Sequence, residues 1–332
     1  MELLGSTFDD SIFSEGRDRV SAALPSYEAK LCEPEWFCGG VALDTDDSLE
    51  KQKVYKFRGD LAVRQKKHQE ALDAYSRCLE WIADGNLAIR RDVLEGMVRC
   101  CTNLGQRRRA LELADLLSKE TSNSSHLISL LLLKVSIYQR FGSVGSEVSS
   151  LQQLCSLLPF NPWNWFNLGQ TCLQLLESSR TSGSCSLWRC ESAEEQQEEA
   201  AGLDEDRVWL KACSCFIRTR LLLRILRQQQ SSFVLRRSEN ALQKTDETMR
   251  RLKPKGTTLQ ALTEVMSEDL TADKMREDYQ DGESVASLCV QNFKERWWDK
   301  ILLTGVLETD GPSIPVAEGQ SSCAGEIGLQ RS

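Results

Sequence analysis

The sequence predicts an all-α chain: a superhelix of antiparallel helix pairs with C-terminal capping helices and disordered tails. Three observations predict it. From about Ser48 onward, apolar and small residues recur at three- and four-residue spacings, which marks helices with one buried face. No stretch alternates as a half-buried strand does, and no proline falls between Pro34 and Pro159. The helical segments come in pairs, and the pair pattern returns along the chain.

Residues 1–48 stand apart as an acidic, mostly extended segment. Within residues 1–50, 12 carboxylates face only Arg17, Arg19 and Lys30. Pro25 and Pro34 punctuate it. Aromatics at Phe8–Phe13, Tyr27, Trp36 and Phe37 predict local docking, onto the body of the chain or onto a partner. The acidic opening Met1–Asp10 lacks the basic and apolar regions of a secretory signal. The longest apolar stretch, Leu127–Ile137, is interrupted by Ser129, Lys134 and Ser136. It falls well short of the roughly 20 residues that span a bilayer. The expectation is an intracellular protein, cytoplasmic or nuclear, whose 13 cysteines are reduced.

Residues 49–177 carry the helix pairs. Tyr55, Gly59 and Ala62 share one face of a first helix; Ala71, Tyr75 and Cys78 share one face of a second. Small residues at Gly59 and Ala71 suit two helices at closest approach, with Tyr75 filling the groove toward the next pair. The second pair holds Leu94, Cys101, Gly105, Ala110, Ala114 and Leu117, the third Leu131, Tyr138, Gly142, Leu151, Leu154 and Pro159. In the third pair Glu147 stands where a small residue is expected. A fourth first-helix opens at Pro162, where a missing N–H costs nothing, and carries Trp165, Leu168, Gly169 and Cys172.

These residues resemble the tetratricopeptide repeat family. The spacing departs by a few residues from that family's period of about 34; Ala71 and Ala110 are 39 apart. The resemblance implies an α-α superhelix whose concave surface, lined by first helices, binds protein segments. A second resemblance, carried by Lys30–Phe37, Phe160–Trp165 and Phe216–Leu223, is to a vertebrate protein family. It implies helical repeats and no established activity.

Residues 178–206 read as a disordered Ser-rich and acidic insertion, with no Lys or Arg between positions 191 and 206. Residues 207–253 resume the helical repeat. Ala212 and Phe216 are spaced like Ala71 and Tyr75, so the stretch Arg207–Leu226 is expected to be the second helix of the fourth pair. A further helix over Ser232–Leu252 ends at Lys253-Pro254-Lys255-Gly256. Residues 254–306 form the C-terminal helices. Thr257-x-x-Gln260 reads as a capping box. A last helix over Ser284–Leu303, with Val285, Cys289, Phe293, Trp297 and Ile301 on one stripe, seals the stack, as a solenoid requires. Residues 307–332 form a disordered tail.

The residues point to binding rather than chemistry, so no catalytic, cofactor-binding or metal-ligating residue is assigned and no enzyme is expected. The two histidines, His68 and His126, lack a nucleophile signature. The cysteines are not spaced as zinc-binding C-x2-C pairs. Cys101, Cys172 and Cys215 act as small hydrophobes. Partner-binding candidates are Trp163, Trp165, Tyr55 and Tyr138. Two tryptophans two apart on a helix cannot both face one core, so one is expected to be available at an edge or groove; the alternative is that this second ring packs against the C-terminal helices. The acidic N-terminal segment with Tyr27, Trp36 and Phe37 is a candidate occupant of that groove. Residues 207–255 hold 13 cations against three carboxylates, and Arg220, Arg224 and Arg227 share one face. They support an alternative, a nuclear nucleic-acid-associated factor. A chaperone-tail carboxylate clamp is excluded. Lys56 matches its first Lys, but Asp60 replaces an Asn, and Gly96, Ser129 and Leu133 stand at the later positions.

Overall fold

The computed structural model describes residues 34–181, 205–229, 232–275 and 289–304. The expectations for residues 1–33, for most of the insertion, for Val285 and for the tail beyond Thr304 lie outside the described residues. All regular structure among the described residues is helical. In chain order the helices are α1 (Ser48–Arg64), α2 (His68–Trp81), α3 (Leu87–Asn103), α4 (Arg107–Lys119), α5 (Ser124–Phe141), α6 (Val144–Leu157), α7 (Pro162–Thr181), α8 (Glu205–Gln229), α9 (Ser232–Leu252) and α10 (Gly256–Ser267). The helix α11 (Val290–Phe293) runs through a π-helical turn at Lys294–Trp298 into α12 (Asp299–Leu302).

Local chemistry sets the ends. Asp47 accepts the Leu49 N–H at 2.8 Å to open α1, and Asn123 accepts the His126 N–H at 2.9 Å to open α5. Gly142 closes α5 at φ 68°, a left-handed conformation that costs glycine little. The α10 start differs from expectation. Gly256 begins the helix and Lys255 occupies the N-cap without a side-chain cap. Thr257 therefore lies inside the first turn, and Gln260 donates to Glu264 instead. The final helix also differs. Cys289 is extended at φ −125° and exposed, ahead of α11, so it leaves the buried stripe that keeps Phe293, Trp297 and Ile301.

Each helix packs on its neighbours in sequence, α1 on α2, α2 on α3, and so on to α8 on α9 and on α10. The first helices α1, α3 and α5 also touch one another. This is the nearest-neighbour geometry of a helical stack. Tyr75 shows how one joint is made. A Cβ on Gly59 would lie 2.5 Å from its ring, and one on Gly96 2.8 Å. The ring thus fills the space between α1 and α3, and its hydroxyl donates to Asp60 at 2.7 Å. Gly169 meets the Phe216 ring in the same way, at 3.0 Å, so α8 packs on α7 as α2 packs on α1. Glu147, at the third joint, is buried and accepts hydrogen bonds from Thr171 Oγ1 at 2.9 Å and Gln139 Nε2 at 3.0 Å. A buried carboxylate is tolerated there because both donors reach it.

Two core clusters run along the stack, one over α1–α5 and one from α5 to α12, with Leu127 packed against both. Both ends are covered. At the start, Trp36 and Phe37 stack edge-on and tilted against Phe57, with ring centroids 6.2 and 5.5 Å away. Arg58 holds that segment by donating to the carbonyls of Phe37 at 2.7 Å and Gly39 at 3.0 Å. At the other end, Phe293 and Trp297 close on Trp165, 5.5 and 5.0 Å away.

A groove along the first helices

The 3.6-residue period assigns each first helix a solvent face. On α5, Leu130, Leu133 and Ile137 join the first core cluster, while Leu131 and Val135 join the second. Ser129, Leu132 and Ser136 fall on the remaining face, and Leu132 is 50% exposed. On α1 and α3 the matching face is polar. Lys56 binds Asp60 at 2.9 Å and reaches across to Asp92 on α3 at 2.8 Å. Burial opposes the Lys56 ammonium, but hydrogen bonds to Asp92 and Asp60 outweigh it and raise its pKa. Glu95 and Arg99 pair at 2.6 Å one turn further on.

The helices α5 and α7 share the second core cluster, through Leu131 and Val135 of one and Leu168 and Cys172 of the other, and the surface of α7 passes onto α9. Arg237 of α9 lies over the Trp163 ring of α7 at 4.3 Å. Seven residues on in both helices, Gln170 and Lys244 line one groove of about 560 Å³. Equal advance in both helices means that α7 and α9 run side by side in the same direction. The cations Arg250, Arg251 and Lys253 complete the groove wall, with Glu247 as its one carboxylate.

Of the partner-binding candidates, Trp163 lies on this face, half-buried. Trp165 does not. It is 0% exposed and its indole N–H donates to the Pro159 carbonyl at 2.8 Å. Two positions along a helix turn a side chain by about 200°, so Trp165 faces the C-terminal cap while its neighbour faces the groove. Tyr55 packs against the first core cluster. Tyr138 shares the side of α5 that carries Leu131 and Val135. Arg220 is half-buried, 3.9 Å from Asp246; burial foremost, then Arg224, lowers its pKa. Arg224 and Arg227 are exposed on α8. Trp36 and Phe37, expected as groove occupants, instead pack against Phe57 of α1 and are held by Arg58.

One member of the basic stretch is buried rather than exposed. Arg218 forms a two-pronged ion pair with Asp269, its Nη2 at 3.1 Å, and donates to the carbonyls of Met266 at 2.7 Å and Pro159 at 3.3 Å. Its guanidinium sits 5.6 Å from both the Phe160 and Trp165 rings. Arg296 binds the same carboxylate at 3.2 Å. Burial lowers the Arg218 pKa and the Asp269 contacts oppose that shift. The network joins α8, the α10 end and the final helix. Sequence reading missed it because its partners are 51 residues apart.

The cysteines at 78, 100, 101, 155, 172, 213 and 215 are buried and free. Burial pushes the Cys78 and Cys100 thiols up to about 11 and holds Cys155 and Cys215 well above the ordinary value. Such thiols are poor nucleophiles at neutral pH. Among the described residues no group of three or more His, Cys, Asp or Glu is placed to hold a metal ion, and no helix is long and apolar enough to cross a membrane.

The chain is similar to a human protein, uncharacterized protein C8orf76, at 33% identity over 90% of this chain and 93% of the relative. It is 30% identical to the rat homolog of that protein, over the same shares. Its residues 2–201 and 176–302 match the model of a family of unknown function, DUF5588. The chain therefore belongs to the DUF5588 family.

Proposed function

We propose that the protein is a non-catalytic adaptor that holds a partner segment along the face of α1, α3, α5, α7 and α9. The observation that carries this reading is the continuity of that face. It presents exposed Leu132 and the half-buried Trp163 ring between polar ends. An apolar anchor flanked by polar contacts is the usual energetic plan of a peptide groove. The helix pairs and small-residue joints favour a tetratricopeptide-like scaffold. The buried thiols favour binding over covalent catalysis. The proposal places the protein in the cytoplasm or nucleus, where free thiols persist.

Proximity labelling of the tagged full chain in cells tests it. Leu132→Asp with Trp163→Ala, at an exposed and a half-buried position, should remove a defined set of neighbours while the thermal melt stays cooperative. Neighbours identical to those of the wild type would overturn the groove as the binding surface.

A further inference from the structure

We infer that the α7–α9 end of the face is a docking site for an acidic polypeptide segment of a partner. The inference rests on the adaptor reading and names the chemistry of what it holds. The groove wall carries Lys244, Arg250, Arg251 and Lys253 against Glu247. None of these four cations, nor Arg237 beside them, pairs with a carboxylate among the described residues. Glu247 itself accepts from Gln243 at 2.9 Å. Elsewhere on the molecule several exposed cations meet carboxylates, among them Arg108 with Glu112, Arg99 with Glu95 and Lys300 with Glu268. A helix C-terminus favours cations in its last turn, which accounts for Arg250 and Arg251. It does not account for Lys244, about two turns earlier, or Arg237, about four turns earlier. Lys253 is also held at φ 47°, a left-handed conformation unfavourable for a residue with a Cβ. Glycine would relieve that strain but would leave the groove without one of its cations.

Charge complementarity selects an anion, and the surroundings select a peptide. The whole chain carries −8, which opposes a long nucleic-acid polyanion outside the groove. Single-stranded nucleic acid is gripped by bare aromatic faces, and the Trp163 face is covered by Arg237. Gln170 and Thr248 supply polar groups at the groove wall, suited to a backbone lying between carboxylates. A run of Glu or Asp side chains therefore fits the site, with Trp163 and the Arg237 stem as its apolar margin.

The test is fluorescence anisotropy of the purified full chain with a labelled decaglutamate peptide. A decaglutamine peptide and an oligothymidylate are the comparison probes. The expected result is binding of decaglutamate alone, weakened about tenfold or more by Lys244→Glu with Arg251→Glu. Lys244→Gln with Arg251→Gln should give a smaller loss, and Arg108→Glu on the outer surface should give none. Unchanged melts show that each variant folds. Absence of decaglutamate binding, or equal binding by the double reversal, overturns the inference. Tighter oligothymidylate binding, with the steep salt dependence of phosphate contacts, replaces the peptide by nucleic acid and also overturns it. A large gain in decaglutamate affinity when the carboxylates between Glu191 and Asp204 become amides would assign the groove to the chain's own acidic stretch, and so exclude a partner in trans. Each of these failures leaves the labelling result with Leu132→Asp and Trp163→Ala intact, so it is distinct from failure of the adaptor reading.

Discussion

At the scale of residues, the joints between helix pairs depend on atoms that are missing. Gly59→Ala would gain about 1 kcal/mol of helix propensity, yet its Cβ would sit 2.5 Å from the Tyr75 ring. The ring cannot swing aside, because Gly96 flanks it on α3 and Asp60 holds its hydroxyl. Overpacking of this kind costs about 1–3 kcal/mol, so net destabilisation is expected in urea unfolding. Gly59→Ala with Tyr75→Leu should cost less than the sum of the two single changes. The tryptophan pair makes a sharper contrast. Trp165→Ala should cost about 3–5 kcal/mol, and the half-buried Trp163→Ala less, about 1–2 kcal/mol. The sequence showed that these two rings point apart. It could not show which one is buried, because Phe293 and Trp297, which close on Trp165, lie far along the chain. The thiols set a third expectation. Burial raises Cys78 and Cys100 from 9.0 to about 11, so between about pH 9 and 11 only the unfolded state ionises them. Stability is therefore full below pH 9 and falls as pH climbs through 11. Urea midpoints at neutral pH and near pH 10.5 read this directly; equal midpoints would contradict it.

At the scale of elements, the C-terminal cap is tied to the stack by one buried charge network. Removing one partner of such a pair strands the other, at about 3–5 kcal/mol. Arg218→Leu should therefore lower stability by that order. It should also open residues 254–304 to limited proteolysis before α1–α4 is cut. Arg218→Leu with Asp269→Leu should recover part of the loss, since neither member of the buried pair then strands the other. The identity of α8 was legible earlier than its electrostatics. Ala212 and Phe216 repeat the spacing of Ala71 and Tyr75, and the structure packs Phe216 against Gly169 as Tyr75 packs against Gly59. Arg218 sits among arginines in the chain, so composition alone reads it as one more surface cation. The N-terminal aromatics show the reverse case. Their docking followed from their apolar character, but Arg58, which holds them against α1, carries no local signal.

At the scale of the whole molecule, the stack presents one long face, and its chemistry changes along its length. Ion pairs bridge α1 and α3, Leu132 stands open on α5, Trp163 follows on α7, and cations with no carboxylate partner among the described residues crowd the α9 end. The order of helices was readable from their periods. The residues on the face were less so, because one step along a helix turns a side chain by about 100°. Leu133, taken as a groove position, is 1% exposed, while its neighbour Leu132 is open. The basic surface was readable as a stretch, but not its division into the Arg224 and Arg227 side of α8 and the groove side of α9. Hydrogen exchange across the full chain, with and without a partner recovered by labelling, tests the central claim most directly. The account predicts slowed exchange in α5, α7 and α9, with α4 and α6 unchanged. Protection confined to α8 or to the outer helices, with α5 and α7 exchanging as in the free protein, would contradict it.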